Sequence, residues 1–209
     1  MKVLLLNGSP NSRGCTYTAL TVIERELNSQ GIETEIVWIG NGPIRGCVGC
    51  GGCRKLGRCV YSDDPINAIG EKIKVADGYV FGAPVHYASP NGATISTLDR
   101  LFMAFGGYMK LKPAASIVSA RRAGTTASYD VLNKYIGIND MIQVPSTYWN
   151  MVHGSSAEEV YHDKEGISIM RAIASNMAWL LKLLESAKGT ELEKPVDIPK
   201  EKTNFIRQI

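Results

Sequence analysis

Positive charge is not concentrated anywhere in this chain. Its 23 Lys and Arg and 20 Asp and Glu leave a formal charge of +3 over 209 residues, with no basic stripe to follow a phosphate backbone. Nucleic acid is not an expected partner. No apolar run reaches membrane-spanning length. The opening run, residues 3–6, is too short for a secretory signal core and lacks a small-residue cleavage site, so neither a membrane partner nor export is expected. The cysteines are five, an odd number, and four of them crowd between Cys47 and Cys59. A disulfide framework is a poor explanation, a redox or metal site a better one, and a reducing cytoplasm the expected location. Two phosphate-binding signatures are also missing: the three-glycine dinucleotide fingerprint and the Gly-Lys-Ser/Thr ending of a triphosphate loop.

What is present is a chain with 44% hydrophobic residues, enough to bury one sizeable core. Short apolar, β-branched runs at residues 2–6, 34–39, 79–81, 115–118 and 141–145 predict buried strands. Helical spacing fills the intervals at residues 16–28, 65–75, 93–102, 125–136 and 167–185. Such alternation requires right-handed crossovers. The expected architecture is α/β: a doubly wound five-stranded parallel sheet with helices on both faces, and ligands in such sheets bind beyond the carboxyl ends of the strands. One domain spanning residues 1–190 is expected, including a cysteine-rich loop at 44–62, with a charged, proline-containing extension at 191–209 lying on the body or on a partner subunit.

The first strand ends in Asn7-Gly8-Ser9-Pro10-Asn11-Ser12-Arg13-Gly14-Cys15-Thr16. Gly, Ser and Asn at that density, opening into a helix, aim N–H groups, hydroxyls and a helix N-terminus at one spot, which suits a phosphate monoester such as that of a mononucleotide. An ordinary capped helix, with Ser12 or Thr16 near the cap, explains the same residues. The third strand runs into Gly82-Ala83-Pro84-Val85-His86-Tyr87-Ala88-Ser89-Pro90-Asn91-Gly92, predicting a stiff loop able to present fixed N–H groups to a ring; His86 can equally be a surface residue. Ser119-Ala120-Arg121-Arg122-Ala123-Gly124 follows the fourth strand and is either a solvated connection or a second wall, whose arginines can receive a dinucleotide phosphate. Residues 148–154 gather Tyr148, Trp149 and His153 at a sheet end, for contact with a bound ring or for subunit packing.

Cys47, Cys50, Cys53 and Cys59 are spaced C-x2-C-x2-C-x5-C among Gly46, Gly49, Gly51, Gly52 and Gly57. Successive C-x2-C steps resemble ferredoxin spacing and suit a 4Fe-4S cluster. Free or redox-active thiols and zinc are the alternatives.

Asn7-Gly8-Ser9-Pro10 with Thr16, the segment Ala83-Pro84-Val85-His86-Tyr87 and the four-cysteine cluster together resemble the NAD(P)H-dependent FMN reductase family of flavodoxin-like proteins, and within it the iron-sulfur flavoproteins. The resemblance covers residues 1–154. It implies FMN at the carboxyl ends of the strands, with Ser9, Asn11, Ser12, Gly14, Cys15 and Thr16 in the phosphate cradle. Pro84, Val85, His86 and Tyr87 would then face the ring, with Ser119 and Arg121 on the second wall. Cys15 and Asn11 stand where the family often has Asn and a basic residue. It further implies an oxidoreductase moving electrons from NAD(P)H, or from ferredoxin through a cluster on Cys47, Cys50, Cys53 and Cys59, to a small-molecule acceptor, in a homodimer or tetramer. A non-enzymatic flavodoxin-type carrier and a flavin-free metal-binding regulatory module are the other classes consistent with the residues.

Overall fold

The structure is a computed structural model that describes residues 1–201 and 203. Part of the expected 191–209 extension therefore lies outside the described residues. Five parallel strand positions form the sheet. β1 (Lys2–Asn7), β2 (Glu33–Trp38), β3 (Gly78–His86) and β5 (Pro113–Ala120) are continuous, while the last position is filled by two pieces, β6 (Ile142–Gln143) and β7 (Met151–His153). The order is β2-β1-β3-β5, then β6 and β7 on the outer edge of β5. This is the doubly wound, flavodoxin-like order expected from the alternation of elements. A two-residue strand, β4 (Ser89–Pro90), turns back antiparallel on the end of β3.

Helices cover both faces. Alternate strand residues Val3, Leu5, Val80, Ala115 and Ile117 pack beneath α1 (Cys15–Ser29) and α6 (Lys164–Ala187). Leu4, Leu6, Tyr79, Phe81 and Val118 pack beneath α3 (Ile66–Val75), α4 (Gly92–Phe105) and α5 (Thr125–Ile138). The central strands read as unbroken apolar runs because both of their faces are covered, and each fully buried aliphatic side chain contributes about 1.5–3 kcal/mol. A one-turn helix, α2 (Cys53–Leu56), sits within the cysteine-rich loop.

Two strand expectations need correction. The third strand does not stop at residue 81 but continues to His86, in register with β5 through Pro84 opposite Ser119. Gly82, expected to end it, is there because α1 packs closely: a Cβ at that position would lie 2.9 Å from Thr16 Cγ2 and 3.2 Å from Leu6 O. The fifth strand, expected as residues 141–145, is interrupted. Pro145 has no N–H for a ladder, and after Val144 N donates to Ala114 O at 2.8 Å residues 145–149 leave the sheet in a detour. Ser146 Oγ donates to Asn150 Oδ1 at 2.7 Å and Asn176 Nδ2 to Pro145 O at 2.9 Å. The chain rejoins β5 as β7, inside the segment expected to be an aromatic loop after the sheet.

α6 is also longer than expected. Its 24 residues, with a mean hydropathy of 1.3 over an 18-residue window, are long and apolar enough to cross a membrane by length and composition, contrary to the expectation that no such stretch exists. Its stripe of Ile169, Met170, Ile173, Met177 and Leu181 is instead buried in the core it shares with α1. Asp163 caps the helix, accepting from Gly166 N at 2.9 Å, and its other oxygen accepts from His153 N at 2.7 Å, which ties β7 to α6. Beyond α6, residues 194–198 border a surface hollow with Lys110, Leu111 and Asp140.

Candidate cofactor site

The loop after β1 is built by side chains bonding to backbone. Asn7 Oδ1 accepts from Ser9 N at 3.1 Å and its Nδ2 donates to Ser12 O at 3.2 Å. Ser9 Oγ accepts from Asn11 N, and Asn11 Oδ1 from Arg13 N, each at 3.1 Å. These short Asx- and Ser-type turns fix residues 9–13 before any ligand arrives. Gly8 allows the loop to lie against the next elements: its N donates to Gly82 O at 2.9 Å, and its O accepts from Asn91 Nδ2 at 2.8 Å and Thr94 Oγ1 at 3.0 Å. The loop then opens into α1, whose N-terminus has no side-chain cap, leaving its first N–H groups without intrahelical partners.

Thr16, in the first turn of α1, shares a hydroxyl–hydroxyl bond of 2.8 Å with Ser119 at the end of β5. This bond joins the start of α1 to the end of β5 in the lining of a cleft of about 470 Å³. Ser9, Asn11, Gly14, Cys15, Thr16, Pro84, Val85, His86, Ser119 and Arg121 all line it. Three separate stretches of chain thus converge at the carboxyl edge of the sheet. Pro84, Val85 and His86 reach the cleft from the last residues of β3, not from the stiff loop expected there. Ser12 and Tyr87 lie outside the lining: Ser12 is exposed, and Tyr87 is the exposed tip of the β3–β4 hairpin, with φ +61°.

The cleft also takes in Arg13 and Ala120, Gly154 from the end of the 148–154 segment expected to contact flavin or a neighbouring subunit, and residues 155–158, which the sequence did not single out. Residues 155–158 follow β7 and were hidden by the split strand. Had the second half of that strand been legible, the carboxyl-end rule would have pointed to them. Cys15 binds this segment, its Sγ donating to Gly154 O and Ser156 O, each at 3.3 Å. Burial, with the charges of Glu159 and Glu158 adding to it, pushes the Cys15 thiol above its ordinary pKa, so it stays a neutral donor. His153, at the carboxyl end of β7, instead sits 3.6 Å from Asp163 through Nδ1.

The four clustered cysteines line one small cavity, of about 30 Å³, with Val48, Val60, Tyr61 and α4 residues Arg100, Met103 and Ala104. Gly49, Gly51 and Gly57 have φ of +65°, +69° and +64°, so the tight wrap uses backbone that other residues rarely adopt. Cys59 is clamped: Asn67 Oδ1 accepts from its N at 2.9 Å, Asn67 Nδ2 donates to its O at 3.1 Å, and Arg100 Nε donates to its Sγ at 3.2 Å. Cys47 and Cys50 are exposed. Among the described residues no three His, Cys, Asp or Glu side chains converge on a single ion.

A profile of the family described as NADPH-dependent FMN reductase matches residues 1–156. The chain is a member of this family. Among similar proteins, an iron-sulfur flavoprotein of Methanocaldococcus jannaschii is 26% identical over 193 residues, covering 88% of this chain and 100% of the relative. An iron-sulfur flavoprotein of Methanosarcina thermophila is 27% identical over 191 residues, covering 88% and 97%. The fold resembles that of RosB with bound 8-demethyl-8-formylriboflavin-5'-phosphate, at a TM-score of 0.71 and 18% identity over 99% of this chain and 92% of that one. It also resembles a WrbA-like flavodoxin from Agrobacterium tumefaciens, at a TM-score of 0.61 and 12% identity over 87% and 97%. At these identities the solved structures speak for the fold alone. In this FMN reductase family member the family match takes in the phosphate-type loop, the ends of β3 and β5, and the cysteine-rich loop together.

Proposed function

We propose that this protein is an FMN-dependent oxidoreductase that passes electrons from NAD(P)H, or from ferredoxin through an iron-sulfur cluster, to a small-molecule acceptor. The observation that carries the proposal is the convergence of the uncapped α1 N-terminus, the Thr16–Ser119 hydroxyl pair and the ends of β3 and β5 around one cleft. Bound there, FMN supplies the hydride and electron chemistry. The protein's share is to hold and orient. The first N–H groups of α1 and the hydroxyls of Ser9 and Thr16 bind a phosphate dianion, helped by the helix dipole. Pro84, Val85 and His86, with Ser119, Ala120 and Arg121 beside them at the end of the adjacent strand, form a wall for a planar ring. Arg13 and Arg121 give the rim the positive charge that suits an anionic dinucleotide co-substrate.

The cysteine loop suits a 4Fe-4S cluster in part. Its sulfurs share one cavity on a glycine-rich chain, and in a cubane each thiolate binds its own iron, so the ligands need not meet at one point. The enclosed space is about that of one water. Loading would therefore have to spread the exposed, glycine-rich Cys47–Cys50 side, since Cys59 is held from two directions.

Titration of the apo-protein with FMN and with riboflavin tests the phosphate assignment. FMN should bind more than tenfold tighter, and Thr16→Val should erode that preference while leaving riboflavin binding nearly unchanged. Equal affinity for the two flavins would overturn the assignment. Bound FMN without NAD(P)H oxidation would favour a non-enzymatic carrier, and failure to bind flavin a metal-binding module. We also propose a homodimer or tetramer, supported by solvent-exposed Trp179 on α6 and Ile138 at the end of α5. A lone monomer peak on size exclusion would contradict it. The intended setting is a reducing cytoplasm.

A further inference from the structure

We propose that Arg100 is a positioning residue acting through Cys59: its Nε–H makes that sulfur the one cation-bonded ligand of an iron-sulfur centre and raises the centre's reduction potential. The inference rests on the cluster reading above and goes beyond it, because neither the cysteine spacing nor family membership distinguishes one sulfur from the others.

Arg100 projects from α4 with its side chain only 1% exposed, paired with Asp64 at 4%. All five of its N–H bonds are used. Nη1 and Nη2 grip the Asp64 carboxylate as a fork, and the same nitrogens donate to Arg45 O at 3.2 Å and Tyr61 O at 3.4 Å. The remaining donor, Nε–H, goes to Cys59 Sγ at 3.2 Å. A buried ion pair of this kind is often no more stabilising than apolar residues of the same volume, so stability alone gives little reason for it. Its distinctive product is a guanidinium held in one orientation against a sulfur. The backbone of Cys59 is in turn pinned at both N–H and carbonyl by Asn67.

The other three sulfurs differ. Among the described residues, Cys53 Sγ faces an acceptor, Met103 O at 3.5 Å, and Cys47 and Cys50 are exposed. An N–H aimed at a ligating sulfur withdraws electron density and favours the more electron-rich, reduced state. The same helix reaches the flavin-type cleft: Thr94 Oγ1 bonds Gly8 O, and Arg100 lies six residues further on, about 9 Å along the axis. α4 therefore fixes the spacing between the two sites while Arg100 sets the character of one of them.

Two variants keep the net charge of the buried pair constant, so that a shift reports the directional bond. Arg100→Lys retains a cation for Asp64 but cannot hold carboxylate and sulfur in one planar fork. Arg100→Met combined with Asp64→Asn removes both charges and keeps the bond from Ile66 N to residue 64. The measurements are iron per chain after anaerobic reconstitution and cluster and flavin midpoint potentials in one spectroscopically monitored titration. Expected are wild-type iron content, a cluster midpoint shifted to lower potential in both variants, and an unchanged flavin midpoint. Wild-type iron with an unchanged cluster midpoint would overturn the inference and leave the cluster reading standing. No iron in the wild-type protein would overturn both. Loss of iron from both variants with FMN retained would make Arg100 a scaffold only, and also overturns the tuning role.

Discussion

At the scale of single residues, the cleft depends on positions where a side-chain atom more or less decides the geometry. A Cβ on Gly8 would lie 2.0 Å from Thr94 Oγ1 and 2.7 Å from the backbone oxygen of Gly82. The hydroxyl can rotate away, but the carbonyl belongs to a central strand and cannot. Gly8→Ala should therefore cost about 1–3 kcal/mol of stability and weaken FMN binding, and adding Thr94→Ala should recover only part of either. Chemical denaturation and flavin titration of the two variants check this, and full recovery would contradict the backbone clash. The residue types of the phosphate-type loop were legible in the sequence because Gly, Ser and Asn have few other uses at a strand-to-helix turn. The role of Gly8 was not. It is needed for contact with α4 and β3, which are remote in sequence.

At the scale of elements, charge ties the sheet edge together. Glu35 on β2 accepts from Lys2 on β1 and Lys72 on α3. The bond from Lys72, with that from Lys2, holds the Glu35 carboxyl below its ordinary value of 4.5. A lowered pKa in the folded state stabilises the protein above the ordinary carboxylate range, and the stabilisation is lost as pH falls through the folded value. The site is partly exposed, so the effect is small, about 0.5 kcal/mol. Denaturation should find Glu35→Gln less stable than wild type by that amount at pH 7, with the gap closing below pH 4.5. A constant gap would place the effect elsewhere. The periodicity of the chain revealed all five sheet positions and the two-sided core, since buried parallel strands leave continuous apolar runs. It did not reveal how two of them end. Gly82 and Pro84 look like a break when taken locally, yet β3 runs through them because pairing with Ser119 and the close approach of α1 override local preference. The split of the last strand concealed β7, and with it the 155–158 part of the cleft wall.

At the scale of the whole molecule, two sites hang from one scaffold. The phosphate-type loop and the cysteine loop both rest on α4, at Thr94 and Arg100, and both were recognisable from residue type and spacing. Their connection was not, since it depends on which face of α4 each loop meets. The proposed division of labour gives the cleft the two-electron chemistry of a flavin and the cysteine loop a one-electron entry. The most direct test is an absorption spectrum of anaerobically purified protein, taken with FMN, iron and zinc content per chain. About one FMN and about four irons per chain, flavin bands on a broad iron-sulfur shoulder, and no stoichiometric zinc are expected. A colourless protein that stays colourless when FMN is added would contradict the flavin assignment at its root.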